Sequence, residues 1–188
     1  VAMHNRSVAR RVVARRRAVV GGEGALRHDD GELRGHARVT ADARGGVEVA
    51  VLEVGLGGRA DATNVIAKPR LTIITPVSMD HADKLGDTVA NIAIEKAGVL
   101  KRGVPCVVSQ QSQEGLDAIR AVAGRVGAPL TIWGEDFDAF EQRGRLVFQT
   151  GEVLLDLPRP SLLGRHQIVN AGTAIAAALQ LPELDLDT

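Results

Sequence analysis

The sequence predicts an α/β fold built on a mostly parallel sheet. Two apolar runs, VEVAVLEV at 47–54 and LTIITPV at 71–77, have the length of buried strands and lack the alternation of a half-exposed sheet. Further along, VPCVVS, a helical pattern over 114–126 and PLTIW continue as strand, helix and strand. This order is typical of a doubly wound sheet. We therefore expect the first two strands to pair in parallel, with ligands in the crevice beyond their carboxyl ends.

Candidate metal ligands stand where these two runs end. Glu53 closes the first run and leads into the turn GLGGRADATN, while His81 follows the second run in SMDH. The glycines of the turn tolerate positive backbone angles and a ligand close to the main chain. The turn is not a Walker phosphate-binding loop, which needs GxxxxGK followed by Ser or Thr.

A helix predicted from about residue 87 to 99 carries a lysine on its apolar side. Asp87, beside a threonine, is the expected N-cap, and Gly98 is the stop signal. The apolar stripe of this helix consists of Val89, Ile92, Ala93 and Leu100. Lys96 falls on the same stripe, so three outcomes are open: it snorkels to water, pairs with a carboxylate, or loses its proton by desolvation.

The second half of the chain adds a small antiparallel unit and a last helix. The text from 137 to 157 predicts short strands joined by turns at Arg143-Gly144 and Thr150-Gly151. Trp133 is expected in the core or at its rim. The predicted helix in GRHQIVNAGTAIAAALQL has one apolar face, made of Ile168, Ala171, Ile175 and Leu179.

Two polar side chains at the start of this helix have open roles. Asn170 is predicted in the first turn, and an asparagine amide can pair with the N6 and N7 edge of adenine. The same residue type also closes helix starts. His166 is ambiguous in the same way, between ligand contact and capping.

Composition excludes several classes of function. The net charge is zero, which gives no general attraction to nucleic acid or membranes, and aromatics form 2% of the chain, too few for a surface that stacks single-stranded bases. No stretch approaches the roughly 20 apolar residues of a membrane span. Cys106 is the only cysteine and sits in an apolar run, which suits a buried thiol in a cytoplasmic protein.

Residues 1–46 differ from the rest. They contain the cluster RRVVARRR and a glycine-rich GGEGA, and no convincing helix or strand period is visible. A solvated basic arm, a nucleic-acid patch and a targeting peptide are the functional alternatives.

The motifs EVGLGGRADATNV and SMDHADKLGDTVANIAIEKAGVLK closely resemble the folylpolyglutamate synthase and dihydrofolate synthase family of the Mur ligase superfamily. GEDF at 134–137 and LLGRHQIVNAGTAIAAA at 162–178 resemble it too. The resemblance implies a Rossmann-like Mur ligase central domain with a small antiparallel addition. It also implies ATP-dependent ligation of glutamate to dihydropteroate or folate through an acyl phosphate, with Mg²⁺ on the nucleotide phosphates.

The resemblance also implies roles for particular residues. Glu53 and His81 correspond to magnesium-linked residues, and Lys96 to the lysine that carries a carbamate, which would make His81 and Lys96 catalytic residues. Asn170 corresponds to an adenine contact, with His166 beside it. ATP and Mg²⁺ are the expected cofactors. The expected partners are small molecules rather than nucleic acid or membranes, and the protein is expected to be a monomer.

One family motif is missing from the chain. The phosphate-binding loop GTNGKGS occurs nowhere in it, so we expect either a frameshifted or incomplete product, truncated at both ends, or a diverged protein that no longer hydrolyses ATP. The predicted organisation has three parts: an atypical segment over 1–46, a partial ATPase domain over 47–181 and the start of a linker over 182–188. The first segment is expected to be disordered or to be read out of frame. A cell-wall Mur ligase and a non-catalytic binding module remain alternatives.

Overall fold

The computed structural model describes residues 9–14, 49–79 and 87–181, and for 9–14 the backbone only. The strands are β1 Ala9–Ala14, β2 Val49–Glu53, β3 Leu71–Ile74, β4 Cys106–Val108, β5 Leu130–Ile132, β6 Phe137–Gln142, β7 Arg145–Thr150 and β8 Leu154–Pro158. The helices are α1 Val89–Lys96, continued by a 3₁₀ turn Ala97–Val99, α2 Gln113–Val126 and α3 His166–Leu179.

The main sheet has the order β2-β1-β3-β4-β5, and β3, β4 and β5 pair in parallel as expected of the predicted α/β class. The predicted direct pairing of the first two apolar runs is wrong, because β1 lies between β2 and β3 and is antiparallel to both. The two runs still point the same way. Residues 9–14 lie in the segment where no strand period was visible in the sequence, yet they form β1, and the boundary near residue 46 stays a prediction.

Both faces of the main sheet are covered, which explains the uninterrupted apolar runs. On one face Ile74 and Val108 pack with α1 and α2 residues such as Ile92 and Ile119. On the other face Val107 joins a second core made with the small sheet and α3. All four residues of β3 are buried, so β3 is the centre of the fold.

The small antiparallel sheet has the order β6-β7-β8, as predicted. Its first turn is built by Arg143 and Gly144, whose φ angles of 51° and 76° are the pair of positive values that a two-residue hairpin turn requires. Phe148 of β7 is fully buried and stacks on Phe137, which in turn meets Trp133 edge-on. Trp133 is thus half-buried at the rim of this core, as expected.

Helix α1 confirms the buried stripe and corrects the cap. Thr88, not Asp87, is the N-cap, and its side chain accepts a hydrogen bond of 3.1 Å from the backbone N–H of Asn91. The buried residues of α1 are Ile92, Ala93 and Lys96. The helix tightens into the 3₁₀ turn at Ala97 and ends there, around the predicted stop at Gly98.

Helix α3 buries a face shifted from the predicted one. Its buried residues are Ile168, Gly172, Thr173, Ala176 and Ala177, while Leu179 is 40% exposed. The shift has a packing reason, because a Cβ on Gly172 would lie 2.5 Å from Ala139 Cβ and 2.7 Å from Trp133. The helix therefore approaches β6 along its small residues, and the larger side chains lie at the sides of the contact.

A buried hydroxyl pair fixes α3 to the end of β4. Thr173 shares a hydrogen bond of 2.6 Å with the hydroxyl of Ser109 and donates to the carbonyl of Val169 at 2.8 Å. Nearby on β4, Cys106 is fully buried as predicted, and burial raises the pKa of its thiol to about 12. The thiol is therefore protonated at neutral pH and is a packing group rather than a nucleophile.

Two helix glycines predict opposite effects of the same substitution. Gly172→Ala overpacks the contact between α3 and β6 and should lower the free energy of unfolding by about 1–3 kcal/mol. Gly124→Ala on α2 meets nothing within 4 Å and should raise it by about 0.5–1 kcal/mol, because alanine loses less entropy in a helix. Denaturant unfolding of the two variants measures both; equal shifts of the same sign would contradict the packing described.

Candidate active site

The carboxyl ends of β2 and β3 lie level with each other across β1. Arg10 is the register partner of Glu53 on one side and of Ile73 on the other. Two strand spacings separate these ends by about 10 Å. Glu53 is exposed at the end of β2. It therefore lies at the same edge of the sheet as the segment that follows β3.

The glycine-rich turn after Glu53 is held in shape by one carboxylate. Oδ2 of Asp61 accepts hydrogen bonds from the backbone N–H groups of Gly55 at 2.9 Å and Leu56 at 3.0 Å. Its Oδ1 accepts from the backbone N–H of Thr63 at 2.8 Å and from the Thr63 hydroxyl at 2.6 Å. Because both oxygens are engaged with the loop itself, Asp61 shapes the turn rather than offering a ligand.

The same turn docks on the end of α1. The backbone N–H of Arg59 donates to the carbonyl of Glu95 at 3.2 Å, and Nδ2 of Asn64 donates to the carbonyls of Arg59 at 2.8 Å and Gly98 at 3.1 Å. A Cβ on Gly58 would lie 2.8 Å from the carbonyl oxygen of Lys96. The two motifs that carry the family resemblance are therefore in direct contact.

Gly98 completes this contact from the helix side. A Cβ there would lie 2.5–2.7 Å from the backbone and Cβ of Arg59, which is closer than real side chains approach. Both sides of the contact thus require glycine for close approach, at Gly58 and at Gly98. Asn64 lies between them, and its Oδ1 is buried and meets no hydrogen-bond partner among the residues that the structure describes.

Lys96 is 4% exposed, so the snorkelling alternative is wrong and the lysine is buried at the helix end that receives the glycine turn. Glu53 lies at the strand end that leads into the same turn. His81 lies outside the described residues. Within the described ranges no group of three or more His, Cys, Asp and Glu residues is arranged to hold a metal ion, and the convergence of Glu53, His81 and Lys96 stays a prediction.

A groove of about 760 Å³ lies beyond the carboxyl ends of β3 and β4. Pro76 and Gln110, which follow these two strands, form one side. The other side is formed by the first turns of α3 and by the β6–β7 hairpin. The residues contributed by those elements are Ala139, Phe140, Glu141, Arg143, Gly144, Arg165, His166, Ile168, Val169 and Asn170. His166 and Asn170, the two predicted nucleotide contacts, therefore share one cavity.

The hydrogen bonds of these two side chains argue against capping. The N-cap position of α3 is Arg165, which makes no side-chain cap bond, and Asn170 lies in the second turn rather than the first. Nδ2 of Asn170 donates to Oε1 of Gln167 at 3.3 Å, and Nε2 of Gln167 lies 3.0 Å from Nε2 of His166. An amide N–H₂ only donates, so His166 accepts at Nε2 in this arrangement.

Gln111 was not anticipated as part of the site. Its Oε1 accepts from the backbone N–H of Val77 at 3.0 Å, and its Nε2 donates to the carbonyl of Thr75 at 3.0 Å. These two bonds fix the segment that leaves β3 toward His81. Asp61 was missed as well, although an aspartate two residues before a threonine at the end of a glycine turn is a local signal for such a loop.

A family model for the Mur ligase middle domain matches residues 18–178. The chain belongs to the Mur ligase family through this domain. The match begins upstream of the boundary predicted near Gly46. Among curated relatives, the dihydrofolate synthase/folylpolyglutamate synthase of Bacillus subtilis is 39% identical over 137 residues, which are 70% of this chain and 32% of the relative. The Mycobacterium tuberculosis enzyme of the same name is 40% identical over 143 residues, 70% of this chain and 29% of the relative.

Solved structures resemble this Mur ligase middle domain closely. The folylpolyglutamate synthase of Mycobacterium tuberculosis complexed with ADP and AMPPCP aligns with a TM-score of 0.73 and 32% identity, over 85% of this chain and 38% of that chain. E. coli FolC in complex with DHPP and ADP aligns with a TM-score of 0.61 and 32% identity, over 69% and 30%. The predicted family and fold class are confirmed, and the chain spans about a third of the length of these relatives.

No helix in the described part of this Mur ligase middle domain has the length and apolar character needed to cross a membrane.

The loop carboxylate gives a local prediction. Asp61→Ala removes the acceptors of four hydrogen bonds, so the amides of Gly55 and Leu56 should exchange with solvent about 10- to 100-fold faster, as expected for loss of bonds to a charged group worth roughly 1.5–3 kcal/mol. Hydrogen exchange followed by NMR measures this.

Asp117→Ala is the matched control. It removes the same charge from α2, where the carboxylate accepts one bond of 2.8 Å from the Gln113 side chain. Its effect on the amides of Gly55 and Leu56 should be negligible. Unchanged exchange of these amides in Asp61→Ala would show that the turn keeps its shape without the carboxylate.

Proposed function

We propose that this chain is part of an ATP-dependent ligase that adds L-glutamate to dihydropteroate or folate. The observation that carries the proposal is the docking of the glycine turn on the end of α1, which joins the strand end of Glu53 to the helix end of Lys96. Relatives named as folylpolyglutamate and dihydrofolate synthases support the substrate class. A complex of one structural neighbour with AMPPCP and folate supports the combination of nucleotide and folate.

Mg²⁺ fits the donor set that the described residues offer. Magnesium ions in nucleotide sites are held by one or two carboxylates, with phosphates and water completing six positions. Glu53 provides one exposed carboxylate at the strand end, and this carboxylate forms no hydrogen bond or ion pair with the side chains and backbone that the structure describes. We propose that Glu53 and His81 hold the ion, which would offset the negative charge of the nucleotide phosphates.

Lys96 has a separate role in this proposal. In the proposed modification the Lys96 amine adds to carbon dioxide, which forms an N–C bond and releases one proton to solvent, and the resulting carbamate is an anionic oxygen ligand for a hard cation. The 4% exposure of Lys96 supports this role, because buried anionic groups in proteins are paired or bind metal ions. The glycine turn packs on the backbone of the helix end that bears Lys96, since a Cβ on Gly58 would lie 2.8 Å from the Lys96 carbonyl oxygen. The catalytic assignment of Lys96 and His81 remains a proposal.

The nucleotide base is assigned to the groove at the start of α3. Asn170 is exposed to this groove and keeps its carbonyl oxygen and one amide N–H for a ligand, since the other N–H is used by Gln167. One acceptor and one donor are what the N6 and N7 edge of adenine requires. His166 supports the arrangement through Gln167. ATP, glutamate and dihydropteroate or folate are thus the proposed ligands, while a cytoplasmic location and a monomeric state stay predictions.

The carbamate gives a prediction that does not depend on activity. Protein equilibrated with ¹³C-labelled bicarbonate should show a carbamate carbon signal in the NMR spectrum, as the proposed reaction of the Lys96 amine with carbon dioxide requires. Lys96→Met should remove the signal, and Lys68→Met, at an exposed lysine, should keep it. A signal that persists in folded Lys96→Met would assign the carbamate to another amine.

The missing phosphate-loop motif gives a prediction on turnover. The 188-residue chain should ligate glutamate to dihydropteroate or folate several powers of ten below its relatives, because the loop's lysine and backbone N–H groups hold and neutralise the γ-phosphate. Loss of a single preorganised donor already costs roughly 2.7–4 kcal/mol. Product is followed by mass spectrometry with ATP, Mg²⁺, dihydropteroate and glutamate.

Turnover in the common range of about 1–1000 per second would contradict this and show that another segment holds the phosphates. Nucleotide binding without turnover would agree with an inactive ligase domain. Turnover with a nucleotide-linked muramyl substrate in place of dihydropteroate would instead support a cell-wall ligase.

A further inference from the structure

The hydrogen-bond ladder between β3 and β4 is interrupted by a proline. Ser109 continues the ladder just beyond β4, where its backbone N–H donates to the carbonyl of Ile74 at 2.9 Å. In the parallel pattern, the carbonyl of Ser109 would next accept from the backbone N–H of residue 76. That residue is Pro76, which has no N–H. The chain that leaves β3 therefore needs another partner to continue along the sheet.

The side chain of Gln111 is that partner. Its Nε2 donates to the carbonyl of Thr75 at 3.0 Å, and its Oε1 accepts from the backbone N–H of Val77 at 3.0 Å. In a parallel ladder, one residue likewise donates to a carbonyl and accepts from the N–H two residues further on. The amide of Gln111 thus takes the place of a backbone residue and carries the pairing past Pro76.

Val77 connects this pairing to the candidate active site. It is 8% exposed and belongs to the same core as Val54, the residue that follows Glu53, and as Ile92 of α1. Because a protein interior is close-packed, the direction in which Val77 enters this core affects where its neighbours lie. Gln111 therefore acts on the strand end of Glu53 through a buried valine and not by direct contact.

Glu114 acts on the helix that ends in Lys96. Its Oε1 accepts from the backbone N–H of Ala90, in the first turn of α1, at 3.1 Å. Helix α1 has no acidic residue in its own first turn, so α2 supplies the negative charge that a helix start favours. The other end of α1 is held by the glycine turn at Gly58. The helix is therefore fixed at both ends.

We propose that Gln111 and Glu114 are positioning residues for the metal site of the candidate active site. Both belong to the short stretch 111–114 that leads into α2, and from there they hold the exit of β3 and the start of α1. The link to metal binding rests on the proposed function, whereas the two anchoring contacts are properties of the fold. Groups behind the ligands of a metal typically change its affinity 10- to 100-fold when they are removed.

Hydrogen exchange of single backbone amides tests the anchoring contacts. Gln111→Met removes both bonds while keeping the length of the side chain, so the Val77 amide should exchange about three- to tenfold faster. Gln111→Glu keeps an acceptor for Val77 and loses the donor to Thr75, so its effect should be smaller. Gln113→Met is the matched control, because its amide bonds to Asp117 on α2, and it should leave the Val77 amide unchanged.

The same measurement applies to Glu114. Glu114→Ala should speed exchange of the Ala90 amide by a similar factor, because the acceptor from α2 is lost. Glu114→Gln keeps a side-chain oxygen in the same place and should restore most of the protection. The pair of variants separates the hydrogen bond from the charge of the carboxylate.

Mn²⁺ is the probe for the metal site, because it is paramagnetic and prefers the same oxygen ligands as Mg²⁺. In the full 188-residue chain it should broaden the amide signals of Val54 and Gly55, next to Glu53. Gln111→Met and Glu114→Ala should each raise the Mn²⁺ concentration for half-broadening about tenfold. Glu114→Gln and Gln113→Met should stay close to the wild type.

A core variant separates positioning from general stability. Phe148→Leu removes a fully buried ring from the small sheet and should lower the unfolding midpoint, but the broadening curve should not move. An equal loss of Mn²⁺ affinity in Phe148→Leu and Gln111→Met would overturn the positioning role. An unchanged Val77 amide in folded Gln111→Met would overturn the anchoring by Gln111.

Two results distinguish this inference from the proposed function. Faster amide exchange with unchanged Mn²⁺ affinity in the variants would overturn the positioning role and leave the proposed metal site standing. No broadening of Val54 or Gly55 by millimolar Mn²⁺ in the wild type would overturn the proposed metal site and the positioning role together. Faster exchange of Val77 and Ala90 would in that case still support the two anchoring contacts.

Discussion

The contact between the glycine turn and the end of α1 is the constraint on which the site depends. Backbone lies against backbone there, and a single methyl group at Gly58 or Gly98 would separate the two segments. The backbone carbonyls at this contact need hydrogen-bond donors. Arg59 supplies its backbone N–H, and Asn64 supplies its side-chain amide. Without this contact, the strand end bearing Glu53 and the helix end bearing Lys96 would be independent surfaces.

The main sheet makes that contact possible because it is packed on both faces. Alternate residues of β3 and β4 enter different cores, one shared with α1 and α2 and the other with α3 and the small sheet. The two halves of the candidate site thus approach one edge of the sheet from opposite faces. Polar bonds then set the detail: Gln111 holds the exit of β3, and the Ser109–Thr173 pair holds α3 against the end of β4.

The two halves differ in how firmly they are built. The turn and α1 meet backbone against backbone at Gly58 and Gly98, and hydrogen bonds of 3.1 and 3.2 Å join them. The groove at α3 is more open, with hydrogen bonds of 3.0–3.3 Å among exposed side chains.

The sequence by itself determined the α/β class, the family and the strand ends, because apolar period and motif spacing act over a few residues. It placed Lys96 on the apolar stripe of its helix, and only the structure shows that the lysine is 4% exposed. It also located the hairpin turn at Arg143-Gly144 from local backbone chemistry. Only the tertiary structure decided that β1 separates β2 from β3 and that α3 turns its small residues to β6. Strand order and helix rotation depend on contacts between segments far apart in the chain, where the fit of Gly172 against Ala139 outweighs the apolar pattern of one helix.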